Sequence, residues 1–178
     1  MLRLARHLRA DGHTVHLFGY QRRASLSKAA TALASYLRRL GLAEGGSDLG
    51  FVGHSAGGVL LRYLAAELPD FRAGHSVALG SPLAGSAIAA HYAQDRWAQL
   101  VCGPILGSLH PDEVAALPPP PCVLGSIAGT AQSKLLPASF LLRPIAEGRA
   151  SDATVLVEST HLAENQDHIE VPVVHTLL

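Results

Sequence analysis

Two apolar patterns alternate along this chain. The first has helical spacing. LRLARHLRADG puts Leu2, Ala5 and Leu8 on one face and ends at Gly12. SLSKAATALASYLRRLG carries Leu26, Ala30, Leu33, Leu37 and Leu40 at the three- and four-residue steps of a buried helical stripe. Arg38 and Arg39 occupy its last turn and Gly41 follows, which marks a C-terminal stop. AGGVLLRYLAAELP predicts a helix ended by Pro69, and AGSAIAAHYAQDRWAQL predicts one more. The second pattern is the short run of β-forming residues: HTVHLFGY, DLGFVGH, HSVALGS, CVLGSIAG, ATVLV and HIEVPVV each predict a strand. Nearly continuous apolar strands separated by helices imply an α/β fold, a mostly parallel sheet with helices on both faces. Pro118–Pro121 read as a stiff connection rather than a boundary, so residues 1–178 are expected to form a single domain. Thr130 to Ala150 shows no clean period and reads as either a partly helical excursion or a loop.

Composition narrows the function classes. With 178 residues, 48% of them hydrophobic and 16% charged, the chain can bury a core and is not of a disordered type. Formal net charge is zero, and no basic stripe suggests a nucleic-acid partner. No apolar run is long enough to span a bilayer and no signal-peptide pattern opens the sequence, so a cytoplasmic location and no transmembrane segment are expected. Cys102 and Cys122 form no CxxC pair and read as reduced thiols.

The candidate chemistry sits in FVGHSAGGVL, where Gly53, Gly57 and Gly58 crowd around Ser55. With 17 glycines in the chain, a GxSxG pattern alone is a weak signal, and a glycine-rich turn with Ser55 as helix cap would give the same letters. Context strengthens it, because the pattern falls at a strand end and a helix start. In a strand–GxSxG–helix unit the serine takes strained dihedrals on a sharp turn. Glycines two residues to either side let strand and helix approach without Cβ clashes. The hydroxyl is lifted above the sheet at a helix N-terminus, where the dipole favours developing negative charge. The Ala56 N–H would then point at the oxyanion of a tetrahedral intermediate. There is no GK[ST] or GxGxxG signature for a phosphate loop.

A serine needs a base, and the base an orienting acid. In such a unit the order is Ser, Asp or Glu, then His. Of the downstream acids Asp70, Asp95, Asp112, Asp152 and Asp167, Asp152 follows a polar turn beyond the CVLGSIAG strand, where a site at the carboxyl edge of a sheet needs one. Asp112, in HPDEV, reads as a first-turn helix residue that faces only the dipole. Among ten histidines the choice for the base falls between His168, which opens the last strand, and His175, which follows it. Only His175 would lie beyond the carboxyl end, so it is favoured. His13, His16, His54 and His91 read as structural or surface groups. No metal or organic cofactor is expected, since the histidines lack a ligand spacing such as HExxH.

FVGHSAGG, VALGSPLAGS, SDATVLVEST and PVVHTLL, in this order, resemble the corresponding blocks of bacterial α/β-hydrolase-fold lipases and esterases. The resemblance spans nearly the whole chain. It implies a serine hydrolase that cleaves carboxylic esters of a hydrophobic acyl substrate through an acyl-enzyme, with Ser55 matching the nucleophile, Asp152 the acid and His175 the base. The Leu79–Ser86 segment resembles one that borders the site in these lipases. Related acyltransferases and thioesterases use the same triad and stay open as alternatives.

One departure stands out. Such enzymes carry an early strand ending in His-Gly, whose loop supplies a second oxyanion N–H, and nothing upstream of RLARHLRADGH matches it. Three residues follow His175, where a final helix would pack in that family. The reading is therefore of an α/β-hydrolase fold incomplete at both ends, lacking one central strand and one oxyanion donor, and a catalytically weak remnant is a further alternative.

Overall fold

The computed structural model describes residues 1–21, 24–132, 137–146, 148–163 and 167–178. In chain order they form α1 (Leu2–Ala10), α2 (Leu26–Leu40), β1 (Val52–His54), α3 (Ala56–Glu67), β2 (His75–Leu79), α4 (Ala87–Tyr92), α5 (Arg96–Cys102), α6 (Ile105–Ser108), α7 (Pro111–Ala115), β3 (Val123–Gly129), α8 (Pro137–Ala146) and β4 (Asp167–Val171). Single 3-10 turns cover Val157–Thr160 and His175–Leu177.

The described strands make one parallel sheet in the order β1-β2-β3-β4. All four therefore release their chains at the same edge, and that edge assembles the site described below. Side chains alternate across the sheet. Gly53, Ser76, Ala78, Leu124, Ser126 and Ala128 share one face and are buried, whereas Val52, Val123 and Ile169 on the opposite face are exposed.

The long helix starts and stops as its sequence dictates. The Ser25 side chain accepts from the Lys28 N–H at the N-terminus, and Gly41 closes the C-terminus in the left-handed region at φ 71°. Leu26, Ala30, Leu33 and Leu37 are buried against Val59, Leu60 and Leu64 of α3, joined by Phe71 and Val114. Arg62 is itself buried on α3. Its guanidinium donates to the carbonyls of Leu83, Leu117 and Pro118, so the proline-rich connection into β3 is tied to that helix. Burying a charge without such partners would cost several kcal/mol, on the order of 3–5.

The structure departs from the sequence reading at three places. HTVHLFGY is not a strand. A strand needs a hydrogen-bonding neighbour; no described strand pairs with residues 13–20, and Phe18 and Tyr20 pack onto the α2–α3 core instead. AGSAIAAHYAQDRWAQL is two helices, because Asp95 accepts from the N–H groups of Trp97 and Ala98 and caps a new start there. ATVLV is not a strand either. The N–H groups of Thr154 and Val155 go to the Asp152 carboxylate rather than to a ladder, and the chain then enters the 3-10 turn. The undecided stretch after Thr130 contains α8 over residues 137–146, so its helical reading holds there; residues 133–136 and 147 lie outside the described residues.

Candidate active site

Ser55 lies between β1 and α3 with φ 56° and ψ −127°, a backbone conformation that non-glycine residues rarely adopt. Its N–H donates to the Leu79 carbonyl at the end of β2 (2.8 Å), which holds the turn against the neighbouring strand. Such strain persists only where the surroundings over-determine it. The glycines divide this work differently from the sequence expectation. A Cβ at Gly53 would stand 2.7 Å from the Gly57 backbone, and one at Gly58 would stand 2.3 Å from Ser81 Oγ. A Cβ at Gly57 would meet nothing within 4 Å. Room for the helix against the sheet thus comes from Gly53 and from Gly58, which packs on Ser81 and Ala78. Gly57 contributes only its backbone to that contact.

The other strands deliver the remaining groups to the same edge. Beyond β3 comes Asp152, 1% exposed, and beyond β4 comes His175, 7% exposed. The carboxylate is fixed three ways. Its Oδ1 accepts from the N–H groups of Thr154 (3.0 Å) and Val155 (2.7 Å), and its Oδ2 accepts from His175 Nδ1 at 2.7 Å. The backbone repeats the link, with the His175 N–H donating to the Asp152 carbonyl at 3.0 Å. A carboxylate only accepts, so the His175 proton belongs on Nδ1 and Nε2 presents a lone pair. That nitrogen is 3.0 Å from Ser55 Oγ. Ala153, next to the acid, also has positive φ at 73°.

The structure therefore brings Ser55, Asp152 and His175 into one hydrogen-bonded chain. The Ala56 N–H opens α3 beside them, in the first turn, where an α-helix has no intrahelical acceptor for it. Asp112 lies exposed in the first turn of α7, apart from this group. His168 lies on β4 with its Nδ1 2.7 Å from Ser126 Oγ, and burial and the adjacent His161 hold its imidazole below the ordinary range. Cys122 is a half-buried thiol that burial pushes up.

Two contributors escaped the sequence reading. Gly80, the first residue after β2, has φ 52°, and a Cβ there would stand 2.9 Å from Asp152 Oδ2 and 3.0 Å from His175 Nδ1. It is the floor on which Asp152 and His175 meet. The available signal was a glycine closing a strand whose end borders the site. His54 donates from Nε2 to the His175 carbonyl at 2.9 Å, and the two rings lie 4.8 Å apart between centroids. Desolvation by burial, chiefly, lowers the His54 pKa from the ordinary value of 6.5 and favours its neutral form.

No family model and no curated protein sequence matches the chain. Solved structures do. The mature lipase BlEst2 of Bacillus licheniformis superposes with a TM-score of 0.67 at 15% identity, over 89% of this chain and 70% of the lipase. The metagenomic carboxyl esterase MGS0156 gives 0.66 at 18% identity, over 86% of this chain and 52% of the esterase. The phospholipase PlaB of Legionella pneumophila, in complex with thio-NAD, gives 0.57 at 16% identity, over 83% of this chain and 35% of the phospholipase. The chain thus spans about half the length of the esterase and about a third of the phospholipase. At these identities the likeness concerns the fold, and the fold is that of the α/β hydrolases, as the resemblance implied.

Proposed function

We propose that this α/β-hydrolase-fold chain hydrolyses carboxylic esters through an acyl-enzyme on Ser55. The observation that carries the reading is the relay Ser55–His175–Asp152, with heavy-atom separations of 3.0 and 2.7 Å. His175 Nε2 takes the Ser55 proton as Oγ attacks the ester carbonyl. Asp152 keeps the imidazole in the required tautomer and stabilises the imidazolium. The Ala56 N–H, reinforced by the α3 dipole, receives the oxyanion. His175 then protonates the departing alcohol, and a water deprotonated by the same nitrogen releases the acid and restores Ser55. The substrate is a hydrophobic acyl ester; the structural neighbours named above are a lipase, a carboxyl esterase and a phospholipase.

Hydrolysis of p-nitrophenyl esters by variants of the full chain tests this. Asp152→Asn should lose about 10⁴-fold in kcat, the cost of a wrong tautomer at intact geometry. Asp112→Asn should stay within about twofold, as surface changes do. Equal effects of the two would remove Asp152 from the mechanism.

A further inference from the structure

At the β4 edge of the sheet, His161, His168 and Glu170 converge so that one ligand atom of each lies within 4.8 Å of the others. None of the three belongs to the Ser55 relay. No spacing in the chain announces the group, because its members come from two different kinds of segment. His168 and Glu170 are two apart on β4 and point to one face, paired in register with Ser126 and Ala128 of β3. His161 follows the 3-10 turn Val157–Thr160 and lays its ring 3.8 Å from that of His168, centroid to centroid.

The chemistry of the donors is that of a metal site. Ser126 Oγ lies 2.7 Å from His168 Nδ1 and can accept its proton. With Nδ1–H bonded to an oxygen, Nε2 is left with a lone pair. A second partner of this kind is what orients most metal-ligating imidazoles. Among the described residues, His168 Nε2 is a buried side-chain nitrogen with no hydrogen-bond partner. Buried polar atoms are seldom left in that state, because the unmade bond is costly. With a second imidazole and a carboxylate gathered around the same ring, a bound ion would satisfy it. Two neutral imidazoles and one carboxylate suit a borderline divalent ion of the zinc class, not calcium or magnesium, which take oxygen.

We propose that His161, His168 and Glu170 bind a divalent transition-metal ion, Zn²⁺ or its close analogues, with water in the remaining position. Tetrahedral bonds of about 2.0–2.1 Å set neighbouring donors roughly 3.4 Å apart. The exposed side chains of His161 and Glu170 are free to close that distance onto the fixed His168 nitrogen. The ion would join β4 to the segment after the 3-10 turn. Asp152 lies upstream of that turn and His175 lies downstream of β4, so the clamp would brace both stretches that lead to the Asp152–His175 pair.

The test uses the full chain, stripped with EDTA and dialysed, titrated with Co²⁺ and then Zn²⁺. Co²⁺ should give the visible d–d absorption of a tetrahedral nitrogen- and oxygen-ligated ion at one equivalent, and Zn²⁺ should bleach it. At a hundredfold excess over Kd, Zn²⁺ should raise Tm by about 5–10 °C. His161→Ala and Glu170→Gln alter exposed positions, so each should melt like the metal-free parent in EDTA and lose most of both signals. Absence of the cobalt band in the parent protein would overturn the proposal. So would a band and a Tm shift that survive intact in both variants, since the ion would then sit elsewhere among the ten histidines.

Discussion

Replacing Gly80 with alanine should damage the site through the geometry of two residues that glycine leaves undisturbed. The new Cβ would stand 2.9 Å from Asp152 Oδ2, 3.0 Å from His175 Nδ1 and 2.7 Å from a methyl of Leu178. Real Cβ atoms mostly keep 3.4 Å or more from such neighbours, so each must retreat by several tenths of an ångström. Leu178 can swing away. Asp152 cannot do so freely, since two backbone N–H groups and the His175 ring hold it. The left-handed φ of 52° adds about 1–2 kcal/mol for any residue with a Cβ. Crowding of a packed site adds roughly 1–3 kcal/mol. Together these come to about 2–5 kcal/mol, which corresponds to a Tm drop of roughly 4–20 °C for a chain of this size. A misplacement of about 1 Å costs about 100-fold, so displacing Asp152 and His175 by several tenths of an ångström should cost roughly 10-fold in kcat. Differential scanning fluorimetry and p-nitrophenyl ester kinetics, both below the variant's melting range, read the two effects separately. A variant that is destabilised yet keeps kcat within about twofold would refute the claim that Gly80 sets the position of the pair. One that is unaffected in both would refute the packing itself.

The elbow offers a sharper contrast. Gly58→Ala should destabilise by about 1–3 kcal/mol through its clash with Ser81, while Gly57→Ala, open on that side, should be neutral or gain up to about 1 kcal/mol of helix propensity; urea melts that rank them the other way would show the helix-to-sheet contact to be misassigned. Acid should weaken the fold through His54 and, with the same sign, His168. Their folded-state pKa values are lowered, so the unfolded chain binds more protons below the ordinary value of 6.5, and the stability present above that value is lost as pH falls toward the folded pKa. Melts from the neutral range down through 6.5 should slope accordingly, and His54→Gln, which keeps an N–H donor but cannot titrate, should flatten the slope in part; an unchanged slope would assign it to other groups.

Much of the sheet and its edge was legible in the sequence because local signals agreed there. The strand before Ser55, the glycines after it and the helical stripe of α3 all pointed to one turn. Asp152 and His175 could be placed at one edge because a parallel sheet sends every carboxyl end the same way, and the structure brings them together with Ser55. What was not legible depends on neighbours that a sequence pattern does not contain. ATVLV has the letters of a strand, but a carboxylate one residue upstream claims its N–H groups. HTVHLFGY has them too, but no described strand lies beside it. Asp95 breaks a helical period with a side-chain bond. Gly80 is one glycine among 17 until Asp152 and His175 stand over it. His54 reads as structural or surface in the sequence, and its bond to the His175 carbonyl comes from tertiary contact. The pairing of His161 with His168 crosses from a turn to a strand, so no fixed spacing announces it.

Covalent labelling reads out whether Ser55 is an activated nucleophile. The full chain is treated with a fluorophosphonate, digested, and the adduct located by mass spectrometry. One serine, Ser55, should be modified, at a rate that falls steeply in Asp152→Asn, and no adduct should form in a folded Ser55→Ala protein. Labelling at another serine, or labelling that persists once Ser55 is gone, would contradict that role.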